Sequence, residues 1–381
     1  MSELDLGLKV ASRRLLWRMG YTTRLDVQLR SVGAAERPTA GAAGAAGRSR
    51  RSSVPEAFTD LDVLGITVTG GFRLQSAIVD CKTTVKGSTS RMFWVRGVAD
   101  FFAADAAYMV REKDLSNAAR QLTSRLGIAA LTSAEVTRLE ELHPSHLALD
   151  AEPLAWLFQR DKAATVLGTF NGLDKRLKPL LEYREFTYWL AEEHRNPMQL
   201  VDELTAVARY LDPRNPHHLA LVLDCAWLYL LTLSHAVESL RAAHVADPDR
   251  GLQEYLFGGP AGLSEKQGLS RLLEGIKQSG ALPDGVHVDL LPSYFPRLRE
   301  LAIRILTRAD SVLPALRLLE FATSVTALGQ RIEKPEDMGG LYDDVAAKRA
   351  ADVVGFLVGT AGLDNGFRAR ARSLLLGEPM T

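Results

Sequence analysis

At Thr132 the texture of this sequence changes, and no other feature limits more what the chain can fold into. Before it, apolar residues switch between a helical period, alternation and short runs punctuated by glycine; after it they recur almost throughout at three- and four-residue steps. The first part reads in order as a helix over Leu4–Met19 stopped by Gly20, a strand over Tyr21–Leu29 and a loop. Two strands follow, Thr59–Thr69 and Leu74–Thr83, joined at the tight-turn pair Gly70-Gly71. A helix over Ser90–Ala104, which would bury Phe93, Val98, Phe101 and Phe102, leads to a strand over Ala106–Val110, a helix over Leu115–Leu126 and a strand over Ile128–Leu131. Such interleaving predicts an α/β domain over residues 1–131, a mixed sheet flanked by helices. Thr132-Ser133-Ala134-Glu135 then spells a capping box. Beyond it helices are expected near 133–142, 152–169, 174–194, 197–211, 216–245, 264–278, 294–308, 310–331 and 340–361, a larger all-α domain over 132–381 without a fixed repeat. Two domains also suit a length of 381 residues, which exceeds what one core usually supports.

Net charge is formally zero, yet its distribution is uneven: residues 1–130 carry 19 Lys+Arg against 12 Asp+Glu, and the remainder 27 against 34. The first part is therefore expected to meet a polyanion and the second a protein partner or solvent. Residues 31–56, which include GAAGAAGRSRRSS, read as a flexible loop. Its arginines Arg37, Arg48, Arg50 and Arg51 are either solvated or, beside a nucleic-acid site, in contact with phosphates. The longest apolar run, Leu219–Leu233, is broken by Asp224 and falls short of the roughly 20 residues of a membrane span. With no secretory pattern at the start, a cytoplasmic location without membrane contact is the expectation. Cys81 and Cys225 are too few for a disulfide framework or a cysteine zinc site and read as reduced thiols.

Asp80 and Lys82 stand two apart on a strand, so both side chains leave one face about 7 Å apart, while Cys81 points the other way. A carboxylate and an ammonium at the end of an apolar strand are costly unless they pair or bind something. The hairpin brings Asp62, near the start of the partner strand, opposite the end that carries Asp80. Phosphodiester hydrolysis needs a hard cation such as Mg²⁺ or Mn²⁺, and carboxylates are its usual ligands. Lys82 can orient water and stabilise charge on phosphate, whereas acting as a base would require its pKa to fall well below about 10.4. Asp60 has the same parity as Asp62, so periodicity leaves the choice open. A surface salt bridge between Asp80 and Lys82 is the structural alternative.

In that order, the helix ending MGY, the span TDLDVLG, the hairpin end IVDCKTT and the segment RMFWVRGVADFFAADAAYMV resemble the core of PD-(D/E)xK nucleases of the restriction-endonuclease and Mrr-like group. The resemblance covers residues 5–131. It implies a restriction-endonuclease-like αβββαβ core with a metal at the strand ends. It puts the first motif aspartate on Asp62 rather than Asp60, the second acid and the lysine on Asp80 and Lys82, and a further metal ligand on the main-chain carbonyl of Cys81. Many members also carry an acid in the first helix, where this chain has Val10, Ala11 and Ser12, with Glu3 and Asp5 lying earlier.

Lys86, Arg91 and Arg96 flank the following helix and are candidates to grip a nucleic-acid backbone, which supplies most of the affinity in such contacts. Phe93 and Trp94 either stack on a base or belong to the core, and core is the expectation because apolar residues at helical spacing usually lie there. His143 with His146, and His217 with His218, lack a third zinc ligand and read as surface or capping residues. What the resemblance implies is a Mg²⁺- or Mn²⁺-dependent endonuclease acting on DNA rather than RNA, of the kind common in prokaryotic restriction and antiviral defence. Its helical part would sense a signal, bind a partner or form homo-oligomers. A catalytically silent nuclease fold that binds nucleic acid or scaffolds a complex is the alternative.

Overall fold

All five segments with a strand pattern pair into one sheet in the computed structural model, which describes residues 3–30, 57–83, 88–143, 145, 147–279, 291–332 and 334–379. The strands are β1 (Thr22–Arg30), β2 (Ala57–Val68), β3 (Leu74–Lys82), β4 (Ala106–Arg111) and β5 (Ile128–Thr132), side by side in chain order. β1, β2 and β3 form an antiparallel meander. β4 and β5 add in parallel, so each needs a crossover, supplied by α2 (Ser88–Phe102) and α3 (Asn117–Leu126). On one face α1 (Glu3–Arg18) buries Leu8, Leu15 and Leu16 with Val63, Val79 and Val110, and Gly20, at φ +95°, ends it. On the other, Met92, Val95 and Ala99 of α2 share a core with Ile78 and Met109. The capping box forms as expected, and α4 (Ser133–Leu142) follows β5 directly and packs back on α1.

The hairpin between β2 and β3 turns over Thr69–Arg73, with the Phe72 N–H bonded to the Thr69 carbonyl and the Thr69 N–H to that of Arg73. Its left-handed residue is Phe72, at φ +54°, rather than either glycine. A bulky residue in that region costs about 1–2 kcal/mol. Burial of the ring, with the Arg241 guanidinium 5.7 Å above it, offsets the cost and ties the turn to the helical region.

The remainder of the chain is mostly helical: α5 (Arg160–Thr169), short helical turns from Lys175 to Arg195, α6 (Asn196–Val207), α7 (Pro216–Ala243), α8 (Pro248–Leu256), α9 (Pro260–Gln278), α10 (Phe295–Thr307), α11 (Val312–Ala327), α12 (Asp344–Thr360) and α13 (Asn365–Leu376). Three expectations need correction. The helix expected near 152–169 is a 3₁₀ turn at Leu154–Phe158 and then α5, separated by an extended Gln159. The one near 174–194 breaks into short turns, including a π turn at Tyr183–Thr187. α8 and α13 were not anticipated. α7 is apolar on all sides because it is the centre of the core: every residue from His218 to Ser234 is buried. It is the one helix among the described residues long and apolar enough to cross a membrane, and 94% of that stretch lies inside the protein.

Sheet and helices are joined by a buried carboxylate. Glu320 of α11 accepts bonds from Arg13 Nε and Nη2, Trp17 Nε1, the Thr22 hydroxyl, and the N–H and hydroxyl of Thr23. Arg13 also donates to the Leu157 carbonyl at 3.0 Å. Removing one partner of such a buried pair strands the other charge, at a cost of about 3–5 kcal/mol. Glu320→Leu is therefore expected to lower the free energy of unfolding in urea by that amount. The double variant Glu320→Leu with Arg13→Met should recover much of the loss. Equal destabilisation by both would show that the pair is not coupled.

Candidate active site

Past Val63 and Val79, the last pair of the β2/β3 ladder, the regular pattern of β2 breaks. Leu64 and Ile66 belong to the core shared with the helices and Val63 faces α1, but Leu61, of Val63's parity, joins the shared core as well. The alternation thus slips at Asp62. Across the β1/β2 ladder, where Leu25 pairs with Val63 and Val27 with Leu61, Asp26 stands opposite it at φ +53°, a left-handed conformation that aspartate tolerates better than most residues. The slip aims Asp62 back toward β3. Its Oδ2 accepts the Cys81 N–H at 2.7 Å, and its Oδ1 lies 2.6 Å from Lys9 Nζ.

Lys9 comes from α1 and is only 4% exposed. Its ammonium pairs with Asp26 as well as Asp62. Burial alone would lower its pKa, but the two carboxylates outweigh burial and hold it above the ordinary lysine range. Burial likewise raises the Asp62 carboxyl, with Lys9 and the Cys81 N–H pulling it back. Asp60, exposed, completes a group in which one oxygen each from Asp26, Asp60 and Asp62 lie within 4.8 Å of one another. Asp60 and Asp62 therefore both belong to the acidic group. Such a set of hard oxygen donors could hold a divalent cation, whose carboxylate contacts are about 2.0–2.1 Å when it is Mg²⁺.

These groups open into a cavity of about 600 Å³ between the sheet and the helices. Lys82 and Asp5 line it too, and Lys82 has no ion pair among the described residues. The Cys81 thiol is fully buried 3.5 Å from the Ser12 hydroxyl, and burial pushes its pKa up, which leaves it inert. Asp80 goes elsewhere. It is buried and bound by the Arg91 guanidinium, whose Nε is 3.1 Å from Oδ2, so neither a salt bridge with Lys82 nor a place in the acidic group of Asp62 is seen. Arg91 in turn lies 3.3 Å from the centre of the Trp94 ring.

Of the residues expected to grip a backbone, Arg91 is thus committed to Asp80 and Arg96 pairs with Asp100 one turn on. Lys86 lies outside the described residues, as do Arg37, Arg48, Arg50, Arg51 and His146. Trp94 is partly buried as expected, but Phe93 and Phe101 are exposed at 55% and 59%, because α2 turns them away from the sheet; Phe101 meets Phe58 edge-on. His143 ends α4, and His218 Nδ1 accepts the Asp212 N–H.

Lys9, Asp26 and Asp5 were missed. Asp26 reads in sequence as an outward polar residue of an alternating strand, and nothing local signals its φ. Asp5 and Lys9 are four apart on α1 and share a face, so a lysine beside the core residue Leu8 of an amphipathic helix was the available clue. Asp5, set aside as lying too early for a first-helix acid, reaches the same cavity as Asp62 and accepts the Thr83 hydroxyl at 3.0 Å.

Because folding raises the Lys9 pKa, its stabilisation is complete below the ordinary lysine value and is lost as pH climbs through and above that range. The difference in urea midpoint between wild type and Lys9→Met should therefore be large at pH 7 and shrink at pH 11. A difference unchanged with pH would contradict the ion pair. No protein-family model, curated protein or solved structure matches the chain significantly, so the site is read from its own geometry.

Proposed function

We propose that the chain is a metal-dependent phosphodiesterase, a nuclease of the PD-(D/E)xK type acting on DNA, centred on Asp62 and Lys82. The observation that carries this reading is the cavity at the ends of β2 and β3, where Asp62, Asp60 and Asp26 gather within reach of one cation and Lys82 shares the space. The strand order adds support, since an antiparallel meander followed by a helix and a parallel strand is the arrangement the resemblance implies. A divalent cation would supply the charge that polarises the phosphate and acidifies a water. Around it this chain's residues divide the work. Asp62, fixed by the Cys81 N–H, and Asp60 offer oxygens, while Lys82 offers an ammonium to charge developing on the phosphate. Asp80 becomes a positioning residue that orients Arg91. A defence setting and a sensing or oligomerising role for the helices go with this reading.

A second reading, a nuclease fold that binds without cutting, is favoured by one observation: both motif carboxylates already carry a side-chain cation, Lys9 on Asp62 and Arg91 on Asp80. The two readings separate in one assay. Cleavage of DNA should require Mg²⁺ or Mn²⁺, stop with EDTA, and fall about 10²–10³-fold in Lys82→Ala and Asp62→Asn, with thermal melts showing folded protein. Salt-sensitive DNA binding with no product under any of these conditions would instead establish the silent fold. Metal-dependent cleavage that survives both substitutions would remove the site from the chemistry.

A further inference from the structure

We propose that Lys9 is an internal counter-ion of this site: its ammonium takes a share of the carboxylates that a divalent cation would otherwise hold, and so limits how tightly the site binds one. This rests on the phosphodiesterase reading and concerns the control of metal loading at that same site. The first observation is where the ammonium sits. Lys9 Nζ pairs with Asp26 and Asp62, two of the three carboxylates that gather within reach of one cation, while the third, Asp60, is exposed. Asp62 is engaged on both oxygens, Oδ1 by Lys9 at 2.6 Å and Oδ2 by the Cys81 N–H at 2.7 Å. A cation drawn to this group therefore finds one carboxylate open to water and two already shared.

The second observation is that the ammonium is held there. A lysine on a surface swings aside at little cost, because its stem is long and flexible. Lys9 is 4% exposed, and its neighbours Leu8 and Val10 on α1 are buried. One turn further along the same helix Arg13 is tied to Glu320 at 2.7 Å, which fixes α1 against the helical region. From the other side Asp26 reaches the ammonium out of a left-handed backbone, at φ +53°. The two lysines of the site are thereby distinguished: Lys82 lines the cavity with no ion pair among the described residues, and Lys9 is committed to the carboxylates. Two buried carboxylates without a cation would destabilise the fold, and Lys9 offsets that cost before any metal arrives. The consequence is weaker metal binding, since a divalent ion beside a fixed ammonium meets repulsion that water screens poorly in a buried place.

The experiment reads Mn²⁺ binding to the full chain by electron paramagnetic resonance, for wild type, Lys9→Met and Lys9→Arg. Lys9→Met should bind Mn²⁺ at least about tenfold more tightly than wild type, the least expected from removing a unit charge at ion-pair distance. Lys9→Arg keeps the charge and should bind no more tightly than wild type. In thermal melts Mn²⁺ should raise the Tm of Lys9→Met more than that of wild type. Should Lys9→Met not fold in EDTA, its circular dichroism during a Mn²⁺ titration decides: recovery of the helical signal supports the proposal and no recovery overturns it. Mn²⁺ bound no more tightly by Lys9→Met than by wild type, or by neither, overturns it as well. DNA cleavage tests the nuclease reading separately. Tighter Mn²⁺ binding by Lys9→Met with no DNA cut by any variant removes that reading and keeps the counter-ion. Equal affinities, with DNA cut at the same half-maximal Mn²⁺ concentration by wild type and Lys9→Met, remove the counter-ion and keep the nuclease.

Discussion

The carboxylate of Glu320 holds the two halves of this protein together. It sits on α11 yet all of its side-chain donors come from α1 and β1, some three hundred residues away in the chain. Six donors around one buried charge replace the water it gave up, which is the condition for a buried ion to be tolerated. Trp227 extends the network by donating to Thr22 at 3.1 Å, and Arg317 by donating to the Tyr21 carbonyl at 3.0 Å. These bonds seat α7 and α11 against the start of β1, and so give the open end of the sheet a second wall.

That cavity owes its chemistry to a single irregularity. In an unbroken ladder Asp62 would alternate with its neighbours, and its carboxylate would be out of reach of the Cys81 N–H. The left-handed Asp26 and the slip at Asp62 bring two carboxylates to the same ammonium. Local backbone strain of this kind costs on the order of 1–3 kcal/mol and persists where surrounding contacts over-determine it. Here they are the Lys9 bridge and the flanking pairs Leu25 with Val63 and Val27 with Leu61. The same bridge supplies positive charge to Asp26 and Asp62 from within the protein, so a metal ion at this group would have to compete with the Lys9 ammonium.

Much of the fold was legible because it rests on local rules. Gly20 and Gly127 end helices in the left-handed region, the Thr132–Glu135 capping box starts α4, and loose alternation or short apolar runs mark the five strands. The site was legible only in part. Asp62 and Lys82 could be named because strand parity and a family pattern point to them, and both line the cavity. Asp80, equally conspicuous in sequence, is claimed by Arg91, an ion pair across the β3–α2 connection that spacing alone does not reveal. Phe93 misled for a similar reason: a helical period says that one face is buried, but which face depends on how α2 lies on the sheet.

By itself the sequence determined the kinds of element, their order, and the presence of acidic and basic groups at a strand end, because propensity, period and capping act within a few residues. The tertiary structure alone decided which charges meet. Asp26 and Glu320 carry no distinguishing local signal and Lys9 only its place beside Leu8, and their roles depend on the register of two strands and on the docking of α11, interactions between residues far apart in the chain. At the strand end where the sequence suggested two aspartates and a lysine, packing assembled a different set, with Asp62 and Lys82 kept, Asp26, Asp60 and Lys9 added, and Asp80 drawn away to Arg91.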